Sequence, residues 1–514
     1  MTVANNRFSF FLKSLSLPFV LLFSALVGAL MPLSFAPFGI WPLVIILPAV
    51  LLVLVDSRDT NKQVVLTGFS FGLGYFGLGV YWVYNSLHDF GMASPVVAGA
   101  ITALLIVFLS IFPALTLLSW QSIQRRIGQR SIWLVPILWF TFEWFRGWVL
   151  TGMPWLSLGY ALGESPLAGF APLIGVYGLS AIGMLVSVAL IRVIQYKAYR
   201  FTSLIVIVFA TGLGLQPIEW TEQQSKSLDV TIVQGNIPQK MKWQLDQRQA
   251  IVNTYWQETQ QYWSSDLIVW PETALPGQSE NIQQSILSPL SKAASEKDSY
   301  ILTGLLVSDK ANRKVHNSMM MLGGNLDANE AVYHKRHLVL FGEYYPLRWL
   351  LDLMSHLINI PFSDLQSGPD DQPLMAVNGL FLGVSICFEN AFSRDIMLAI
   401  PQANLLVNTS NDAWFGDSLA PHQHLQMAQL RSLETGRAMV RSTNTGVSAF
   451  IDFKGRIIQQ TEQFKTVSIT QTMNGRTGIT PFYYFAKVQH WIAGLILIVL
   501  SIGWFKARRE KTAI

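Results

Sequence analysis

The sequence predicts a two-part protein: a multi-span α-helical membrane domain joined to an α/β domain on its outward side. Three observations predict it. Hydrophobic residues make up 51% of the 514 residues and charged residues only 13%, against about 25% charged in an average soluble chain. Apolar runs long enough to cross a bilayer crowd the first 217 positions and recur near the end. Between them lies a long stretch of ordinary soluble composition, with short β-branched strands alternating with helical segments.

A hydrocarbon core of about 30 Å takes about 20 apolar helical residues. About eight runs approach that length, at 15–34, 38–55, 63–84, 95–119, 131–150, 168–191, 201–217 and 488–505. The first resembles a cleavable leader, with Arg7 and Lys13 ahead of it, but further spans follow at once, so it reads as a span. Basic residues fall in alternate loops. Arg7 and Lys13, Arg58 and Lys62, Arg125, Arg126 and Arg130, Arg192, Lys197 and Arg200, and Lys506, Arg508, Arg509 and Lys511 all land on one side, which the positive-inside rule makes cytoplasmic. The opposite loops are poor in such charge, so the region 220–485 faces outward. The expected domains are 1–219 with about seven spans, 220–485 as the outward domain, and 486–514 as a last span with a basic tail. The net charge of +5 belongs to this topology rather than to a nucleic-acid patch.

Within the spans, Gly68, Gly72, Gly74, Gly77 and Gly79 suggest close helix packing. Glu143 and Arg146 stand three apart and read as a paired charge at a helix end, with a substrate contact as the alternative. Trp and Tyr near span ends fit an interfacial belt.

In the outward region the strands expected are 229–234, 266–270, 300–306, 380–386 and 403–408, with helices at 246–264 and 422–440. Buried strands flanked by helices make a layered α/β core. Chemistry-bearing residues collect just past three of these or neighbouring runs. "VWPETALPG" holds Glu272, "YHKRHLVLFGEYYP" holds Lys335 and Glu343, and "SICFEN" holds Cys387, the only cysteine, with Glu389. A thiolate is a strong nucleophile but a free thiol titrates near 8.5, so it needs a base or cation beside it. Glu272 is placed to take the proton and Lys335 to steady an oxyanion. Singly, each has a plainer explanation: a buried small hydrophobe, a solvated basic face, a helix cap.

W-P-E-T-A-L-P, then Y-x-K-x-H-L-V-x-F-G-E-Y, then C-F-E, at intervals of 63 and 52 residues from Glu272 to Lys335 to Cys387, resembles the nitrilase superfamily and its Glu-Lys-Cys triad. Seven spans before the domain and one after it narrow the likeness to the apolipoprotein N-acyltransferase family, over essentially the whole chain. The resemblance implies an αββα sandwich with Cys387 as nucleophile, Glu272 as base and Lys335 beside the oxyanion. Glu343, Glu389 and Trp243 would be supporting residues. Phe388 stands where many members have tyrosine. The implied substrates are a phospholipid acyl donor, the sn-1 chain of phosphatidylethanolamine, and the amino terminus of a diacylated apolipoprotein, met in a bacterial inner membrane with the catalytic domain in the periplasm. It implies no cofactor, no metal and no nucleic acid. A membrane-tethered amidase or nitrilase and a non-catalytic scaffold are the alternative readings.

Loops 341–349 and 360–373 are the expected lids over an acyl tunnel. His422 and His424 lack partners at metal-ligand spacing. Asn411, Asp412 and Arg437 read as structural hydrogen-bonders.

Overall fold

The computed structural model describes residues 13–91, 93–309, 314–324, 332–340, 342–344 and 365–512, which separate into two compact units. One comprises 1–81, 99–218 and 484–514; the other comprises 82–98 and 219–483. Residues 82–98, read from sequence as part of the membrane domain, thus group with the α/β unit.

The helical unit holds a helix in each predicted span: α1 (Leu17–Ala29), α2 (Leu43–Asp56), α3 (Asn61–Gly79), α4 (Pro95–Ile127), α5 (Val135–Arg146), α6 (Ala171–Ile194), α7 (Arg200–Leu215) and, after the α/β region, Phe482–Thr512. Four of the segments described are long and apolar enough to cross a membrane, or five if Asn61–Gly79 and the following Val83–Phe90, bent by 57°, act as one. Leu43–Asp56 and Arg200–Leu215 are apolar but short, and α5 ends after 12 residues at Arg146. Hydropathy alone overstates these lengths because it runs through the turns that end the helices. Gly74 lies against the backbone of Ala25 in α1 and Gly72 against Ser110 in α4, so a methyl at either would force the helices apart; Gly77 faces open space.

Glu143 and Arg146 both clamp the loop 153–158. Arg146 donates to the Met153 carbonyl at 3.0 Å, the Trp155 carbonyl at 2.6 Å and Ser157 Oγ at 3.1 Å. Glu143 accepts from the Leu158 amide at 2.9 Å and Trp139 Nε1 at 3.0 Å. Backbone groups stranded away from water need such partners.

The α/β unit is built on two six-stranded sheets. The first holds β1 (Glu222–Gln234), β2 (Leu267–Val269), β3 (Tyr300–Asp309), β4 (Lys314–Leu322), β5 (Val332–His334) and β12 (Val467–Thr477), in the order β12-β1-β2-β3-β4-β5. The second holds β6 (Met375–Val377), β7 (Leu380–Ile386), β8 (Leu405–Ser410), β9 (Met439–Thr443), β10 (Ala449–Ile451) and β11 (Ile457–Gln460), in the order β11-β10-β9-β8-β7-β6. Each has a parallel centre, β1-β2-β3 and β7-β8-β9, extended by antiparallel edges. Val230, Val269 and Leu302 of the first sheet meet Leu382, Val407 and Val440 of the second in one fully buried layer. The other face of the first sheet packs on α8 (Arg248–Thr259) and α9 (Ser288–Glu296), where Tyr255 stacks on Trp270 at 5.0 Å. The buried α10 (Ala420–Thr435) packs against β9 and β10 of the second sheet. This is the expected αββα arrangement of the nitrilase-like fold.

All five predicted strands are present. The predicted helix 422–440 stops at Thr435, because Gly436 takes a left-handed conformation (φ 63°) and Met439–Thr443 enters the sheet. A helical reading of that stretch fails because β9 is buried throughout and its register comes from β8 and β10 rather than from local propensity.

Candidate active site

Three chain reversals bring the predicted residues together. Glu272 lies three residues past β2, held by Trp270, whose indole donates to Thr259 at 3.0 Å, and by a left-handed Thr273 (φ 46°). Gly304 of β3 lies directly under this turn: a side chain there would collide with the backbone of Pro271, Glu272 and Thr273. Lys335 directly follows β5, its amide bonded to the Asn317 carbonyl of β4 at 2.8 Å. Cys387 directly follows β7 and opens the turn Cys387–Ala391 with φ 51°, an energetically costly conformation for a residue with a Cβ.

The side chains form one network. Lys335 Nζ lies 3.3 Å from Glu272 Oε1 and 2.9 Å from the Glu343 carboxylate. Asn317 Nδ2 donates to Glu272 at 2.7 Å and to Glu343 at 2.8 Å. The Asn411 amide donates to Glu272 Oε2 at 2.8 Å, and Lys242 Nζ donates to the Glu272 carbonyl at 3.0 Å. Glu343 is fixed in turn by the Val339 amide at 2.8 Å. Lys335 and Lys242 are each only 1% exposed and Glu272 6%, so these charges interact with little water between them.

Glu389 braces two of the three reversals. Its carboxylate accepts from the Ile386 amide at 2.6 Å, from the Arg336 and His337 amides at 2.5 and 3.2 Å, and from the Tyr333 hydroxyl at 3.0 Å. The Lys335 turn is thereby tied to the Cys387 turn. Behind Cys387, His424 of α10 reaches the Cys387 carbonyl at 3.1 Å through Nε2 and Asp412 at 3.1 Å through Nδ1. Asp412 also accepts from Ser410 at 2.6 Å and Arg441 at 3.0 Å. Burial opposes the Asp412 charge, but Arg441 and His424 outweigh it and hold the carboxyl at about 2.

The electrostatics favour a protonated thiol at rest. Burial and then Glu272 push Cys387 well up, with Lys335 pulling the other way. Burial would raise Glu272, but Lys335, Asn317 and the Asn411 amide together bring it below the ordinary carboxyl value. For Lys335, burial is outweighed by Glu272 and Glu343, and the ammonium is held well above its usual value. The resting site is therefore thiol, carboxylate and ammonium.

The remaining predicted residues sort as follows. Trp243 packs with Leu306, Leu338, Leu365 and Tyr344, an apolar patch beside Lys335 and Glu343 in sequence. Phe388 is half-buried and meets Phe392 edge-on at 5.0 Å and His337 at 5.9 Å, so the ring is held by packing. Of the lid candidates, 342–344 and 365–373 are described and the rest of 341–349 and 360–373 lies outside the described residues. Arg437 bonds the carbonyls of Ala403 and Gly478 at 2.6 and 2.7 Å, a structural role. Among the described residues no group of three or more His, Cys, Asp or Glu is placed to hold a metal.

Sequence reading missed Lys242, Asn317 and the Asp412–His424 pair as part of this site. Lys242 stands next to Trp243 in a polar segment with nothing in the sequence to mark it as buried; Asn317 lies on a strand with no turn signal to mark it.

Residues 27–189 match the family profile of the apolipoprotein N-acyltransferase N-terminal domain, and residues 229–479 match that of carbon-nitrogen hydrolases. Proteins named apolipoprotein N-acyltransferase align along nearly the full chain. That of Nitrosomonas europaea is 40% identical over 93% of this chain and 96% of its own. That of Methylococcus capsulatus is 36% identical over 95% and 96%. That of Coxiella burnetii is 36% identical over 93% and 98%.

Proposed function

The chain belongs to the apolipoprotein N-acyltransferase family, and from that premise we propose that it moves an acyl chain from a phospholipid, through a thioester on Cys387, to the amino terminus of a diacylated apolipoprotein. The observation that carries the reading is the single network in which Glu272 and Lys335, just past β2 and β5, meet Glu343.

In the first half-reaction Cys387 Sγ attacks an ester carbonyl of the donor, the sn-1 ester of phosphatidylethanolamine, while its proton passes to Glu272. The tetrahedral oxyanion is stabilised by Lys335. Its collapse breaks the C–O bond, and Glu272 returns the proton to the departing lysophospholipid oxygen, leaving the thioester. In the second, the free α-amine of diacylglyceryl-cysteine attacks that thioester and gives a proton to Glu272. The second oxyanion collapses with loss of the thiolate, which recovers the proton as the N-acylated lipoprotein leaves. Glu343 and Asn317 keep Lys335 and Glu272 in register through both steps, and Glu389 keeps Cys387 facing them.

The helical region, residues 1–219, would hold the enzyme in a bacterial inner membrane with about seven spans, and 486–514 would add the last span and a cytoplasmic tail. The catalytic region, 220–485, would face the periplasm. Supporting this are the alternation of basic loops and the long apolar helices. A site at the membrane surface spares both substrates the cost of exposing acyl chains to water, about 0.8 kcal/mol per CH₂.

The test supplies purified protein with phospholipid and a diacylated lipopeptide bearing a free amino terminus, and follows the acyl group by mass spectrometry. Acyl on the peptide amine is expected. Free fatty acid alone would make the protein a hydrolase, and no turnover would make it a scaffold; either overturns the proposal.

A further inference from the structure

A buried charged group against Glu272 is left unused by the two half-reactions. Lys242 is buried to 1% exposure, and its ammonium donates to the carbonyl of Glu272, the residue that must shuttle the proton. It ends the short helix Gln239–Lys242, which touches the site a second time: Gln239 Oε1 accepts from Asn411 Nδ2 at 2.8 Å, and Asn411 is the residue whose amide holds Glu272 Oε2. The next residue, Trp243, packs into the apolar patch of Leu306, Leu338 and Leu365. A surface lysine next to an anchoring tryptophan would extend to water; this one is drawn inward onto the base.

Charge balance explains why. Glu272 and Glu343 carry two negative charges and Lys335 one positive charge, so these three leave the buried site one charge negative. During attack the proton moves from sulfur to Glu272 and an oxyanion appears, so two anions, Glu343 and the oxyanion, still face one ammonium. Unbalanced buried charge is costly. A protonated Lys242 makes the site neutral before attack and keeps it neutral in the tetrahedral state. The charge of Lys242 acts on both Glu272 and Cys387, while burial lowers its own value to about 7, within reach of both protonation states at working pH.

We propose that Lys242 is the second cation of the acyl-transfer site, a positioning residue that fixes the Glu272 turn and balances the charge that the Cys387 thiolate and the oxyanion bring into it. This rests on the acyl-transfer reading, so its test includes a measurement that does not need turnover. Cys387 is the only cysteine, and iodoacetamide alkylation of the full-length protein in detergent, followed across pH, reports the thiolate directly. The groups bearing on that thiol besides Lys242 are Glu272, Lys335 and Asp412.

Lys242→Met removes bond and charge; Lys242→Gln keeps a donor for the Glu272 carbonyl and removes only the charge; Lys242→Arg keeps both. The expected result is alkylation slowed about tenfold in the Met and Gln variants below pH 7, where Lys242 carries its charge, with the difference closing above it. Acyl-enzyme formation should fall about a hundredfold in both, with Lys242→Arg closest to the parent. Should the Met variant fail to fold, the Gln variant carries the comparison by itself. A Gln variant that alkylates and acylates like the parent would overturn the charge role, as would slowed acylation with an unmoved alkylation profile. If the parent itself forms no acyl-enzyme, the acyl-transfer reading fails, while the alkylation profiles still decide whether Lys242 acts on the thiol.

Discussion

Two clusters of buried charge can be set side by side, Glu143 with Arg146 in the helical unit and Glu272 with Lys335 in the α/β unit. Both are nearly sealed from water. In the first, the charges end on backbone carbonyls and an amide of the loop 153–158. In the second, the lysine ends on two carboxylates, and the cluster's charges act on a titratable thiol. A buried charge that spends its bonds on the backbone holds a loop shut. A buried charge whose partners can change protonation is equipped for proton transfer.

The comparison breaks most sharply in the second cluster. Lys335→Met or Glu272→Gln should lower the rate of Cys387 acylation by about 10³-fold or more, read as acyl-enzyme per minute in stopped samples, with the fold retained by circular dichroism. Survival of near-parental acylation in either would remove that residue from the chemistry. Glu389→Ala should come next, with about 10²-fold slower turnover in a folded protein, because the Cys387 and Lys335 turns lose the carboxylate that binds them together.

Arg146→Met should invert the pattern. Thermal unfolding in detergent should show a loss of about 1–3 kcal/mol as the Met153 and Trp155 carbonyls lose their donor, while acylation per folded molecule stays parental. A selective loss of activity would show that the two clusters are not different in kind. The smallest effect belongs to His334, which neighbours Lys335. Burial, and then His316, lower its ring from the ordinary 6.5 to about 4. A depressed group contributes stability above its unfolded value and loses that contribution as pH falls toward its folded value. Stability should therefore decline between pH 6.5 and 4, and His334→Gln should flatten that part of the curve; an unchanged slope would contradict it.

What was legible in the sequence follows the same division. Glu272, Cys387 and Glu389 are marked by short motifs at the ends of buried strands that announce themselves as β-branched runs, and Lys335 and Glu343 by a motif alone. Lys242, Asn317 and His424 are not marked, because their meaning lies in contacts across 30, 45 and 37 residues that no local pattern encodes. Strands β4 to β6 and β9 to β12 escaped for a related reason: their register is imposed by neighbours in the sheet. In the helical unit composition located the eight long helices among the described residues but not their lengths, and passed over the short Leu158–Ala161, since turns such as those after Ala29 and Arg146 are as apolar as the helices they end.

The central claim is that Glu272 and Lys335 let Cys387 carry the acyl chain. The most direct measurement incubates the protein with a phospholipid of defined acyl mass, digests it, and weighs the peptide holding Cys387 before and after hydroxylamine and before and after adding a diacylated lipopeptide. The account predicts one acyl mass on Cys387, labile to hydroxylamine, absent from Cys387→Ala, and transferred to the peptide amine on addition of acceptor. N-acylated peptide formed by Cys387→Ala, or by the parent with no acyl mass ever on Cys387, would contradict it.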